Sequence, residues 1–331
     1  MTAGPVRPDQ RQKIVVLGAR GFIGGHVTRA LAMSDWATPV ATSRRALPPD
    51  EILRLRLDAT YEDQVHTAIA DAAGVVNCVS GSVDTIIRNA RALFGAAARL
   101  PRRPRIVYLS SMAVYGSGDG NVDESTPLDG VQSAYGAAKL EAERLGSQAQ
   151  SLVILRPGIV YGPGSTQWSG RIGRYLDARR VGDLGAAGDG FCNLVYIDDV
   201  VNAIIGALRL PGSENHVFNL SLPDPPTWNE HFIQYAQSIG AVPVARVTGR
   251  RLRLETRLFA PPLKVMEIVL ARVAPRLQVA VPEAMPPSLL HLFGQRIRLK
   301  VGRAEDRLGL RWTAMPTGVR QAAEWYRVSG R

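Results

Sequence analysis

Tyr135 and Lys139 stand four residues apart in Tyr135-Gly-Ala-Ala-Lys139, a spacing that sets a phenol and an ammonium on one helix face. A free phenol ionises near pH ~10. A neighbouring ammonium stabilises the phenolate and is expected to lower that value. Such a phenol can take a proton from a substrate hydroxyl as hydride leaves the same carbon, or return it in reverse. Lys139 is expected also to hold a cofactor ribose. Ser110 and Ser111 close an apolar run, so a hydroxyl is at hand for the substrate oxygen. Far upstream, Lys13-Ile-Val-Val-Leu-Gly18-Ala-Arg20-Gly21-Phe22-Ile23-Gly24 reads as a buried strand, a tight turn and a helix start. Gly18 permits the turn, Gly21 admits a pyrophosphate to the backbone, and Gly24 lets the helix pack close. A Gly-rich turn alone is a weak signal, and so is a lone Tyr-x-x-x-Lys. Together, in this order and with the serine-rich strand end, they point to hydride transfer with a nicotinamide dinucleotide.

The elements that position these residues alternate. Strands are expected at Lys13–Leu17, Thr38–Thr42, Leu53–Leu57, Gly74–Cys78, Arg105–Ser110 and Leu152–Arg156, and helices at Gly21–Met33, Tyr61–Ala70, Val83–Ala98 and Ala134–Ser147. Alternation of this kind predicts a doubly wound parallel α/β sheet of Rossmann type. After Tyr161-Gly-Pro-Gly164 the pattern loosens. Asn193–Ile197 and His216–Leu220 read as strands returning to the sheet, with a helix at Asp198–Leu208 between them. Trp228–Ile239 and the apolar Pro262–Val273 read as further helices. The expected domains are residues 1–163 plus 190–223 for the dinucleotide, and a smaller substrate domain of 164–189 plus 224–331.

The cofactor end has its own signal. The second strand ends Thr42-Ser43-Arg44-Arg45, where a carboxylate would grip the ribose of NAD. Two guanidiniums and a hydroxyl match a 2′-phosphate instead, so NADP(H) is preferred, with NAD(H) as the alternative. Asp58, followed by Ala59, could accept from an adenine amino group, or could cap a turn near Thr60. Asn77, Val79 and Ser80 end the fourth strand, where backbone meets ligand in such sheets.

Hydrophobic residues make up 46% of the 331-residue chain, ample for a core. No apolar run reaches a membrane span, and two cysteines, Cys78 and Cys192, neither staple the chain nor form a metal cluster. A cytoplasmic protein is expected. The net charge is +11; residues 1–150 hold 17 basic and 15 acidic side chains, and the rest 23 and 14. Nucleic acid is not an expected partner, because no binding module accompanies the charge.

At these residues the chain resembles the extended short-chain dehydrogenase/reductases, the NAD-dependent epimerase/dehydratase family. The resemblance rests on Gly18–Gly24, Tyr108-Leu-Ser-Ser-Met-Ala-Val-Tyr-Gly116, Tyr135–Lys139, Arg156-Pro157-Gly158-Ile159-Val-Tyr-Gly-Pro163, Val195-Tyr-Ile-Asp-Asp199, Leu308-Gly-Leu-Arg-Trp312 and Glu324-Trp-Tyr326. It implies that Ser111 is the catalytic serine, that Met112 beside it lines the substrate, and that Pro157, Gly158 and Ile159 face the nicotinamide. It implies a small-molecule substrate and a homodimer. Two departures matter. Ser111-Met112-Ala113 stands where the family's dehydratases carry Thr-Asp-Glu, which disfavours dehydration. The arginine that meets a sugar nucleotide's diphosphate is missing from Gly188–Asp198, so Arg171, Arg174, Arg250 and Arg251 are the candidate replacements.

The expected function is therefore interconversion of a ketone and a secondary alcohol, on a nucleotide-linked or other anionic sugar. Epimerisation through a transient ketone is the first alternative, and a hydrophobic sterol-like or natural-product alcohol the second, with Pro262–Val273 as its apolar cover. A non-catalytic cofactor sensor would have no use for the proton-transfer residues.

Overall fold

The computed structural model describes residues 11–45, 52–256, 266 and 284–330. The chain forms two compact units, Met1–Val160 with Val195–Pro223 and Leu299–Trp312, and Tyr161–Leu194 with Asp224–Arg298 and Thr313–Arg331. The stretch Leu299–Trp312 thus joins the first unit: its helix Gly302–Leu308 packs on the last sheet strand.

The first unit begins with strand β1 (Gln12–Leu17), helix α1 (Phe22–Ala32), strands β2 (Ala37–Ser43) and β3 (Leu53–Arg56), and helix α2 (Glu62–Ile69). Then come β4 (Gly74–Asn77), α3 (Val83–Ala98), β5 (Arg105–Leu109), β6 (Gly120–Val122), α4 (Ala134–Leu145) and β7 (Leu152–Pro157). Strands β8 (Ile159–Tyr161) and β9 (Leu194–Tyr196) are short, and β10 (His216–Leu220) is the last strand of the sheet. The seven-stranded sheet has the order β10-β7-β5-β4-β1-β2-β3, parallel throughout. Its central strands are buried on both faces and so read as unbroken apolar runs: Ile14 to Leu17 are at most 1% exposed. Helix α3 packs between α2 and α4 on one face, and α1 packs against the helix Ile197–Leu208. Val15, Val75, Ile86, Leu93, Ile106 and Tyr108 lie in one core beneath α3 and α4.

Most expected elements are present within a residue or two of their ends. Asn193–Ile197 is present as Leu194–Tyr196, but its pairing differs. Its strand, β9, does not return to the sheet but pairs with β8 as a separate ribbon. The edge of β7 that it would have needed is taken by β10, in the register His216↔Val153 to Leu220↔Pro157.

In the second unit, helices Arg171–Asp177, Trp228–Ile239 and Gly249–Leu254 are described. Thr227 and Glu230 form a capping box at the start of Trp228–Ile239. That helix buries Trp228, His231, Phe232 and Tyr235, with Phe293 against Trp228 at 4.8 Å between ring centres. The expected helix Pro262–Val273 lies outside the described residues except for Met266.

Candidate active site

The Gly-rich turn, Ser43, Asp58, Asn77, Ser111 and Pro157 all lie at or just beyond the carboxyl ends of neighbouring parallel strands. That end of such a sheet is where ligands bind. Gly18 has φ +79°, and a side chain there would press on the Cys78 and Val79 backbone at 3.1 Å. A Cβ on Gly24 would lie 2.3 Å from the Gly18 carbonyl oxygen, so α1 sits against the turn as closely as glycine allows. Helix α1 starts at Gly21 with no side-chain cap and no acidic residue in its first turn. By contrast, α3 and α4 are capped by Ser82 and Ser133. The free N–H groups of α1 suit a diphosphate. Arg20 is exposed at the turn, with Phe22 and Ile23 half-buried behind it.

The neighbouring strand ends differ in what they offer. Arg44 and Arg45 are exposed, and Ser43 Oγ accepts from the Arg45 N–H at 3.2 Å. Arg44, Arg56, Asp58 and Lys13 line one surface recess. Arg56 escaped the sequence reading; its pairing with Ser43 across the strands could reveal it only once the register was known. Asp58 Oδ1 accepts from the Thr60 N–H at 3.0 Å and hydroxyl at 2.8 Å, so that oxygen serves the turn. The buried Asn77 amide donates to Asn89 Oδ1 at 2.7 Å, and Asn89 donates on to the Ala59 carbonyl at 2.9 Å. These side chains brace the strand ends, and Asn77 and Ala59 offer a ligand only backbone. Val79 is half-buried and Ser80 exposed. Pro157 and Ile159 are buried, and the Gly158 N–H donates to Leu220 O at 2.9 Å.

The two serines separate clearly. Ser110 is buried and its hydroxyl donates to Glu143. Ser111 is partly exposed, receives the Ala113 N–H at 3.2 Å, and bonds Tyr135 through its side chain. Met112 is buried at 6% exposure, so it offers a substrate little surface. Lys139 is 2% exposed, and its ammonium donates to Leu109 O at 2.7 Å. It sits 5.4 Å from the ring centre of Tyr108 and 5.9 Å from that of Tyr135. Ser111, Tyr135 and Lys139 therefore converge at the end of β5.

One electrostatic expectation is corrected. The Tyr135 pKa is not lowered by Lys139. Tyr135 is still 40% exposed; partial burial of its phenol raises the pKa, and the hydrogen bond with Ser111 acts downward. The lysine amine lies 5.9 Å from the tyrosine ring centre and is tied to Leu109 O. Desolvation also lowers Lys139 itself to about 8. The phenol of the free protein is thus a protonated donor.

Arg171 and Arg174 lie on one helix of the second unit, and Arg250 and Arg251 are exposed on another. Among the described residues no group of three or more His, Cys, Asp or Glu could hold a metal, and no helix is long and apolar enough to cross a membrane.

A seven-stranded parallel sheet with a Gly-rich first turn and a Ser, Tyr and Lys set after its fifth strand defines a nicotinamide-dinucleotide enzyme of Rossmann type. The sequence matches the model of the NAD dependent epimerase/dehydratase family over residues 14–221. The chain belongs to that family and is an NAD(P)-dependent enzyme of the extended short-chain dehydrogenase/reductase kind. It is 27% identical over 245 residues to Protein YeeZ of Escherichia coli strain K12, covering 70% of this chain and 85% of that one. It is 24% identical over 232 residues to UDP-glucose 4-epimerase of Vibrio cholerae, covering 63% and 70%. Among solved structures, UDP-glucuronic acid 4-epimerase of Bacillus cereus, in complex with NAD, shares its fold. The TM-score is 0.72 at 18% identity, over 97% of this chain and 100% of that one.

Proposed function

We propose that this enzyme takes hydride from a secondary alcohol of a nucleotide sugar and returns it to the corresponding ketone, with Tyr135 exchanging the hydroxyl proton. The observation that carries the reading is the convergence of Ser111, Tyr135 and Lys139 at one strand end. The dinucleotide, when bound, supplies the hydride acceptor or donor. Gly18, Gly21 and Gly24 would admit its diphosphate to the N-terminus of α1. Pro157, Gly158 and Ile159 would border its nicotinamide. Ser111 Oγ would hold the substrate oxygen. Tyr135, protonated in the free protein, would give its proton to the carbonyl oxygen on reduction, and as the phenolate it would take a proton back when the carbinol carbon becomes a carbonyl carbon. Lys139 keeps two N–H groups beyond the one given to Leu109 O, enough for a ribose hydroxyl.

The named relatives put 4-epimerisation of a UDP-sugar first among the activities to assay. Arg44 and Arg45 favour a second outcome, net ketone reduction with NADPH, because they suit a 2′-phosphate. The diphosphate of the sugar nucleotide would need Arg171, Arg174, Arg250 or Arg251. A homodimer and a reducing cytoplasm belong to the same reading, and both cysteines are free. Calorimetric titration of the cofactor-loaded protein with UDP-, GDP- and dTDP-sugars at low and high salt tests the substrate class. One sugar should bind, more weakly as salt rises. Absence of binding at millimolar concentration refutes it in favour of the hydrophobic alcohol. For the cofactor, Arg44→Ala with Arg45→Ala should weaken NADPH by about 1–3 kcal/mol per lost contact and leave NADH nearly unchanged. A wild type that prefers NADH refutes the NADP preference.

A further inference from the structure

Glu143 lies one helical turn beyond Lys139 on α4, at the same i, i+4 spacing that joins Tyr135 to Lys139. Its carboxylate is 8% exposed. Oε1 accepts from Ser110 Oγ and from Arg156 Nε at 3.0 Å, and Oε2 accepts from Arg156 Nη2 at 2.6 Å. Arg156 is 4% exposed and gives a further N–H to the Tyr115 hydroxyl at 2.9 Å. Tyr115 donates in turn to Asn219 Oδ1 at 2.8 Å, and the Asn219 N–H donates to Glu124 Oε1 at 2.8 Å. The network ties α4 to the ends of β5, β7 and β10. Of two consecutive residues at one strand end, Leu109 accepts from Lys139 and Ser110 donates to Glu143.

We propose that Glu143 is a positioning residue for the proton-transfer site. Its carboxylate seats α4 on the β5 end through Ser110 and Arg156, and its charge holds the buried Lys139 amine in the ammonium form. This rests on the roles proposed above for Tyr135 and Lys139. The groups facing Lys139 are Tyr108 from β5, Tyr135 and Glu143 from α4, and Cys78 from the end of β4. Arg156 of β7 stands behind Glu143. Desolvation drives Lys139 down to about 8, while Cys78 and Glu143 act upward. Burial raises the Cys78 thiol to about 12 and raises both phenols, which leaves Glu143, paired with Arg156, as the carboxylate of the set.

The chain has four lysines, Lys13, Lys139, Lys264 and Lys300. Carbon-13 labelling of lysine then gives four side-chain resonances, and Lys139→Met assigns the one that matters. The pH titration of that resonance in the cofactor-free protein reads the proton on Lys139 directly and needs no substrate. Glu143→Gln should lower its midpoint by about one pH unit or more. Arg156→Met, which removes the cation and leaves the carboxylate, should raise it. Glu143→Asp, which keeps the charge, should restore most of the wild-type value. A purely structural role predicts that both losses move the midpoint in one direction or not at all, and that result overturns the proposal. If Glu143→Gln does not fold, the neutral pair Glu143→Gln with Arg156→Met replaces it. Its midpoint should lie below that of Arg156→Met alone, and an equal midpoint overturns the proposal. A normal Lys139 response in a protein that turns over no sugar nucleotide would remove the functional reading and leave this one standing.

Discussion

Lys139→Met should stabilise the cofactor-free protein while abolishing its use of the dinucleotide. Lys139 is almost fully buried, and desolvation lowers its pKa from 10.5 to about 8. The unfolded chain therefore holds that proton more tightly than the fold does. Between pH 8 and 10.5 stability rises with pH, and below the folded value the native state carries the whole cost. At about 1.4 kcal/mol per pH unit, this is about 3 kcal/mol at pH 7. Methionine matches the length of the chain without the charge. It forfeits the bond to Leu109 O, a loss of about 1–2 kcal/mol. The net expectation at pH 7 is a gain of about 1–2 kcal/mol. The assay is urea unfolding of wild type and variant followed by tryptophan fluorescence, since the chain has five tryptophans. The stability difference between them should shift by about 2 kcal/mol from pH 7 to pH 10, because the cost of the ammonium fades as it titrates. The lost hydrogen bond does not depend on pH in this way. A difference that stays constant across that range would refute the reasoning, whatever its sign.

Tyr135→Phe keeps the ring and removes the proton, so turnover should fall about 100-fold or more with little change in cofactor affinity. Steady-state rates on the sugar that binds, beside NAD(P)H fluorescence titration, check both halves. Gly24→Ala forces a Cβ toward the Gly18 carbonyl, which it would meet at 2.3 Å. The variant should lose about 1–3 kcal/mol of stability and bind NAD(P)H at least about tenfold more weakly; wild-type behaviour would deny the close contact. His231 is buried and neutral among Trp228, Phe232 and Tyr235, its Nδ1 makes no hydrogen bond among the described residues, and burial lowers its pKa to about 4. Its unfolded value is higher, so stability falls as pH drops from 6.5 toward 4, by about 2 kcal/mol between pH 7 and pH 5. His231→Phe should flatten that slope in urea unfolding, and an unchanged slope would place the acid sensitivity elsewhere.

What the sequence determines here is mostly local. The unbroken apolar runs Ile14–Leu17 and Ile106–Leu109 specify buried parallel strands, and the glycines at 18 and 24 specify a turn and a close approach. The spacing of Tyr135 and Lys139 specifies a shared helix face, because 3.6 residues per turn leaves no other arrangement once a helix forms. Glu143 carried the same four-residue signal from Lys139, but nothing in its neighbourhood says that its partner is Arg156 on another strand. Partnerships of that kind belong to the tertiary structure, since they join residues brought together only when the sheet assembles. The family pattern already picked Ser111 over Ser110, and packing supplies the reason: side chains alternate at the strand end, and Ser110 turns to the core. Packing placed β10 on the edge of β7 and so left Leu194–Tyr196 to pair with β8. It reversed the expected shift of Tyr135, because proximity of charges along a helix says nothing about desolvation, and partial burial of a phenol on a residue still 40% exposed raises its pKa.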